Sequence, residues 1–250
     1  MNLQVFFIEN PKIAIAFSGG VDSAYLLYAA KKYADDMCAY YVKSAFQPQF
    51  EMDDAVNLAK ELEIKLKIIE LNVLEDEDII SNPCNRCYYC KKKIFTAIMN
   101  QAKTDGYTVL LDGTNASDDV NDRPGIKALM ELQVLSPLRI CGLTKDEIRN
   151  LSKEAGLFTW DKPAYACLAT RIPTGQTIDK YNLERTEIAE AFMFSLGFTD
   201  FRVRTVGDMA KIQIIEEQMP LLINNRKKIL EKLKEYYKSV CLDLEARNEH

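Results

Sequence analysis

The chain has 250 residues, 32 of them basic and 37 acidic, for a net charge of −5. That is enough to bury one large core or two modest ones, and the acidic balance argues against a broad nucleic-acid-binding face, leaving only a local patch open. The only histidine is His250, which excludes Ser-His-Asp triads, Cys-His nucleophile pairs and His-ligated zinc as centres of activity.

In chain order, apolar runs at 13–17, 38–42, 66–71, 109–112 and 134–136 read as strands, and amphipathic stretches at 23–34, 50–62, 86–102, 127–132 and 145–155 read as helices. Such alternation predicts a parallel sheet covered on both faces. Ligands of such sheets lie beyond the carboxyl ends of the strands. From Pro163 the pattern changes to a loop, a helix at 183–196, strands at 201–205 and 211–215 around Gly207-Asp208, a helix at 221–238 and a last strand at 240–244. Two domains are expected, 1–162 and 163–250, the second smaller and of α+β type. No run is long and apolar enough to cross a bilayer and no leader is read, so the expected setting is the cytoplasm, with no membrane partner. The seven cysteines then read as thiols, metal ligands or reactive groups.

Several motifs carry chemistry. Ser18, Gly19, Gly20, Val21, Asp22 and Ser23 follow the first strand and open the first long helix, so backbone N–H groups and a positive helix end are aimed at an anion. No Gly-Lys-[Ser/Thr] closes the loop, so it is not a Walker A motif. The pattern SGGVDS resembles the PP-loop of ATP pyrophosphatases, which leave AMP on a substrate oxygen. That resemblance implies a Rossmann-like α/β fold in the first domain, with ATP as substrate. Gly113 and Asn115, in Asp112-Gly113-Thr114-Asn115 after another strand, should border the same crevice. Asp22 and Asp118 are candidate Mg²⁺ ligands, since Mg²⁺ takes few carboxylates and keeps phosphate oxygens and water.

Cys84, Cys87 and Cys90 are spaced C-x₂-C-x₂-C. They could hold an iron–sulfur cluster with one open iron or contribute to a zinc site; the alternative is two or three small, semi-buried thiols at a helix start. Cys167 stands alone near the expected domain junction, four residues before Arg171, and nearby positive charge favours a thiolate. Arg202 and Arg204 alternate on a strand and so share one face, an arrangement suited to a phosphate; a solvated sheet edge is the plain alternative.

Taken together, SGGVDS, RCYYCK (86–91), DGTNASD (112–118), RPG (123–125), SPL (136–138), LTKDEIR (143–149), ACLATRIPTG (166–175) and the RVR–GD run (202–208) resemble the LarE family over about residues 10–215. LarE proteins are ATP-dependent sacrificial sulfur transferases of nickel-pincer nucleotide synthesis. The resemblance implies adenylation of a pyridinium-3,5-biscarboxylic acid mononucleotide and attack by the Cys167 thiolate. Loss of the Cα proton would then leave a thiocarboxylate on the product and dehydroalanine in the protein. It assigns Arg202 and Arg204 to the substrate phosphate, Glu190 to a functional carboxylate and Arg171 to the same pocket, and it implies a homo-oligomer. The base that takes the Cα proton stays open between Glu190, Lys162 and the phosphate of AMP. A cluster-bound sulfide on Cys84, Cys87 and Cys90 is the alternative sulfur source, and a tRNA thiolase the alternative PP-loop enzyme.

Overall fold

The computed structural model describes residues 1–119 and 124–247; Arg123 of the RPG segment and His250 lie outside them. The chain divides into two compact units. One comprises Met1–Val73 and Asn85–Lys162; the other comprises Leu74–Cys84 and the chain from Pro163 onward.

The first unit opens with α1 (Leu3–Glu9), then β1 (Lys12–Ala16), α2 (Val21–Tyr33), β2 (Asp36–Lys43), α3 (Gln49–Glu61) and β3 (Leu66–Glu70). Alpha-helix α4 (Glu77–Ile80) belongs to the other unit. The first unit resumes with α5 (Arg86–Thr104), β4 (Val109–Leu111), α6 (Pro124–Glu131), α7 (Pro137–Ile140) and α8 (Lys145–Glu154). Its four strands are parallel, in the order β3-β2-β1-β4. The pleat sends alternate residues of the central strand to opposite faces. Ile13 and Ile15 pack with Leu26 and Leu27 of α2, Leu58 of α3 and Ile148 of α8. Ala14 packs on the other face with Phe95 and Ile98 of α5 and Leu129 of α6. Both faces are thus covered, which is why these strands read as unbroken apolar runs rather than alternating ones.

Chain order reverses between β1 and β4, which lie side by side. Their carboxyl ends carry the Ser18–Ser23 loop and the Asp112–Asn115 loop, so the two candidate ATP segments meet at the topological switch point. The strand expected at 134–136 is reduced to one parallel bridge, Leu111 to Leu135. Pro137 follows as an N-terminal residue of α7, where a missing N–H is tolerated in a helix but would end a ladder.

The second unit comprises α4, a 3₁₀ turn at Leu168–Arg171, α9 (Lys180–Ser195), β5 (Phe201–Val206), β6 (Met209–Ile214), a 3₁₀ turn at Glu216–Gln218, α10 (Met219–Leu233) and β7 (Ser239–Leu242). Strands β5 and β6 form an antiparallel hairpin about Gly207-Asp208, and β7 joins β6 in parallel. Phe201 and Val203 of β5 and Ile212 and Ile214 of β6 pack with Met193 of α9 and Ile229 and Leu233 of α10. The sequence reading places residues 74–84 with the first domain; their contacts place them here. Buried Asn82 donates to the Pro173 carbonyl at 2.8 Å and accepts from Gly175 N at 2.8 Å, and Ile178 N donates to Ile80 O at 2.8 Å. These bonds join positions far apart in sequence, so local pattern could not show them. Among the described residues no helix is long and apolar enough to cross a membrane.

Candidate active site

Gly19 takes φ +78°, and a Cβ there would stand 3.1 Å from Glu51 O, so the turn needs glycine on both conformational and steric grounds. The loop is closed by Ser23, whose Oγ donates to Gly20 O at 3.1 Å, accepts from Ser18 N at 3.3 Å and lies 3.1 Å from Ser18 Oγ. Gly20 caps α2 with no side chain on the first N–H groups, which leaves that helix end to an anion. Gly113 is where β4's loop meets this one: a Cβ there would fall 2.9 Å from Ser23 N.

Asn115 ties the two carboxylates together. Its Nδ2 donates to Asp22 Oδ1 at 3.2 Å, and its backbone N donates to Asp118 Oδ2 at 3.0 Å. Lys145 Nζ completes Asp22 at 2.6 Å. Lys145 is the first residue of α8, held by the capping box in which Thr144 and Glu147 exchange bonds; the Thr144 backbone N–H, followed by its hydroxyl, holds Glu147 below the usual carboxylate range. Behind the loop, buried Asp112 accepts from Thr114 Oγ1 and, at 2.5 Å, from Ser136 Oγ. On the other side Lys162 Nζ bonds Asp54 at 2.6 Å and reaches Gly19 O at 3.4 Å. Sequence reasoning quoted Ser136 and Lys145 only within the SPL and LTKDEIR segments and gave them no role, and it did not reach Asp54; the Thr-x-x-Glu capping-box pattern was a further signal for Lys145.

In the second unit Arg171 is 1% exposed and forms a forked pair with Glu190: Nε to Oε1 at 2.7 Å and Nη2 to Oε2 at 3.0 Å. Glu190 also accepts from Tyr165 OH and, at 2.8 Å, from Val203 N. Burial depresses the Arg171 pKa, but the hydrogen bond and charge of Glu190 outweigh it, and the net direction is up. The third face of Arg171 turns to the cysteine segment: Nη1 donates to Ala166 O at 2.9 Å and Thr170 Oγ1 at 2.7 Å and lies 3.5 Å from Cys167 O. Cys167 is a half-buried thiol preceding the 3₁₀ turn.

Arg202 and Arg204 leave β5 on the face opposite Phe201 and Val203. Arg202 Nη2 donates to Ala164 O at 2.8 Å, and Arg204 Nη1 donates to Thr170 O at 3.1 Å. The two guanidiniums therefore hold the cysteine segment at both ends. Burial, then the charges of Arg171 and Arg247, lowers the pKa of both, that of Arg202 to about 10. Glu190 and then Asp200 partly offset this at Arg202, and Asp243 and then Glu190 at Arg204; Asp200 lies 3.7 Å from Arg202 and 3.1 Å from Arg247.

The cysteine trio does not gather. Cys87 and Cys90 sit one turn apart at the start of α5, and Cys84 precedes it. Among the described residues no group of three or more His, Cys, Asp or Glu side chains could hold a metal ion. The cluster or zinc expected as an alternative therefore finds no ligand set among the described residues. Asp22 and Asp118, joined through Asn115, do fit a Mg²⁺ that arrives with phosphates and supplies most of its own oxygen ligands.

A family model for the PP-loop domain matches residues 2–150. An uncharacterized protein of Synechocystis sp. is 34% identical over 226 residues, covering 90% of this chain and 84% of the relative. An uncharacterized protein of Methanocaldococcus jannaschii is 32% identical over 245 residues, covering 98% and 93%. Pyridinium-3,5-bisthiocarboxylic acid mononucleotide synthase of Lactiplantibacillus plantarum is 33% identical over 219 residues, covering 86% and 79%. With the glycine turn of Gly19, the Gly113 contact and the two-arginine clamp already in view, these likenesses run through both units, and the chain belongs to the PP-loop family and, within it, to the LarE-type group of ATP-dependent sulfur-transferring enzymes.

Proposed function

We propose that this enzyme adenylates a carboxylate of a pyridinium mononucleotide and passes the sulfur of Cys167 to it, as a member of the group of the L. plantarum synthase. A carboxylate is a poor acyl donor, and adenylation turns its oxygen into a leaving group. ATP binds with its phosphates at the Ser18–Ser23 turn, while Asp22 and Asp118 hold the Mg²⁺ that accompanies it. That ion supplies charge neutralisation at the phosphates. Lys145, bonded to Asp22 at 2.6 Å, is placed to turn to a phosphate oxygen once Asp22 is engaged.

The Cys167 thiolate then displaces AMP to give a thioester. Removal of the Cα proton breaks Cβ–S, leaving a thiocarboxylate on the product and dehydroalanine at position 167. The observation that carries this reading is the clamp: Arg202 and Arg204 grip Ala164 O and Thr170 O on either side of the thiol. Guanidiniums so placed can orient the substrate phosphate beside the nucleophile. Glu190 already accepts two guanidinium bonds, a phenol and an amide. Its part is to position Arg171, and the base is to be sought in the phosphate of AMP.

Intact mass after incubation with ATP, Mg²⁺ and pyridinium-3,5-biscarboxylic acid mononucleotide tests the reading. The protein should lose one H₂S per product formed, and Cys167→Ala should release pyrophosphate without that loss. A wild-type mass unchanged after product has formed sinks the sacrificial chemistry and points to an external sulfur source.

A further inference from the structure

The sacrificial reading above sets a problem that the adenylation site does not solve. A backbone Cα–H is a very weak acid, and the pair of electrons left on Cα must be held while Cβ–S breaks. The natural place is the carbonyl oxygen of the same residue, as an enolate. That oxygen is unusually well supplied with donors. Cys167 O accepts from Thr170 N at 3.0 Å and Thr170 Oγ1 at 2.8 Å, with Arg171 Nη1 at 3.5 Å. A 3₁₀ turn by itself supplies only the first of these.

The hydroxyl's direction is fixed. Arg171 Nη1 lies 2.7 Å from Thr170 Oγ1, and a guanidinium can only donate. The Thr170 oxygen is therefore an acceptor towards Arg171, and its own proton points at Cys167 O. The guanidinium behind it is held by the fork to Glu190 and is 1% exposed. A hydrogen bond polarised by a buried cation is stronger than a neutral one. The donors are already in place before reaction, so little reorganisation is needed as charge develops.

We propose that Thr170, through its N–H and its Arg171-polarised hydroxyl, forms an oxyanion hole for the enolate of residue 167 and so catalyses sulfur release rather than sulfur capture. In this step the Cα–H bond breaks and its pair forms the enolate on the residue 167 carbonyl. The enolate collapses to Cα=Cβ, and Cβ–S breaks with its pair leaving on the thiocarboxylate. The proton passes to the phosphate of AMP, which the adenylation step supplies. Arg171 and Glu190 are positioning residues for this hole.

The test is a single turnover of full-length protein with ATP, Mg²⁺ and pyridinium-3,5-biscarboxylic acid mononucleotide, followed by intact mass. Two species are read: the covalent thioester adduct and the protein lacking H₂S. Thr170→Val keeps the backbone donor and removes the hydroxyl, and its adduct should eliminate about a hundredfold more slowly, the usual cost of one oxyanion donor. Thr170→Ser keeps the hydroxyl and should eliminate within about threefold of wild type, since the donor itself is retained. A Thr170→Val adduct that decays at the wild-type rate overturns the proposal. So does a well-folded Thr170→Val that forms no adduct, because the residue would then act earlier. If Thr170→Val does not fold, Thr170→Ser decides: slow elimination from a folded serine variant overturns the proposal. Wild-type protein that makes product with neither adduct nor H₂S loss fails the sacrificial reading itself, and the hole falls with it.

Discussion

Replacing Glu190 by Gln separates a positioning carboxylate from a catalytic base. The Glu190→Gln side chain keeps its shape but loses its charge, and one of its two oxygens becomes an NH₂ group. Oε1 accepts from Arg171 Nε and Val203 N, and Oε2 from Arg171 Nη2 and Tyr165 OH. Whichever way the amide turns, it points N–H at a guanidinium N–H. Arg171 and Glu190 are each 1% exposed, so no water relieves the conflict and a buried cation is left unpaired. Breaking such a pair costs about 3–5 kcal/mol. For a unit of roughly a hundred residues, that is a fall in Tm of roughly 15 °C or more. Trp160 is the only tryptophan and belongs to the first unit, so its fluorescence follows that unit alone. Far-UV circular dichroism and hydrogen exchange at the Val203 amide follow the second. The expected result is an early transition in the second unit, faster exchange at Val203 and an unmoved tryptophan transition. A Glu190→Gln protein with wild-type stability that stalls as the thioester adduct would refute this account and make Glu190 the base.

Two further outcomes follow from particular contacts. Gly113→Ala puts a methyl 2.9 Å from Ser23 N and 3.1 Å from Ser23 Cα, backbone that cannot swing aside. Overpacking of about 1–3 kcal/mol between β4's loop and the start of α2 should weaken ATP by about tenfold or more, and an unchanged Kd by calorimetry contradicts it. Burial holds the Arg202 pKa down to about 10, below its unfolded value. The cationic form therefore carries a folding cost that is fully present below that pH and is relieved as pH rises through it. A bound phosphate supplies the counter-charge that burial withholds, so Arg202→Gln should weaken substrate binding by about tenfold or more at neutral pH, the loss of one charge-assisted contact, and leave ATP affinity unchanged; a wild-type substrate Kd in Arg202→Gln counts against Arg202 as a phosphate ligand.

The parallel sheet was legible because its strands are buried on both faces and read as continuous apolar runs. The glycine turn was legible because its residues are local. Helix α1 was not: Leu3–Glu9 is short, crowded with apolar residues, and announced only by Asn2, which accepts from Val5 N at 3.0 Å. The alternation of Arg202 and Arg204 predicted a shared face, but not that the face closes on the Ala164 and Thr170 carbonyls. Glu190 and Arg171 are 19 residues apart; the family resemblance put them in one pocket, but no local pattern showed that they form a buried forked pair. The same holds for Asn82, which draws residues 80–82 to 172–178 through bonds with no sequence period. Thr170 lay in plain view within ACLATRIPTG, yet its value depends on which way a hydroxyl points.

Among the anchors of the cysteine loop are main-chain carbonyls at 164, 166 and 170, gripped by arginine side chains that stay behind. These three do not involve sulfur. On the proposed chemistry, a molecule that has given up its single charge of reagent keeps the outline of one still loaded. Surveillance that recognises misfolding would pass it by, and a cell relying on this protein must match new synthesis to product demand or possess some means of recharging the emptied position.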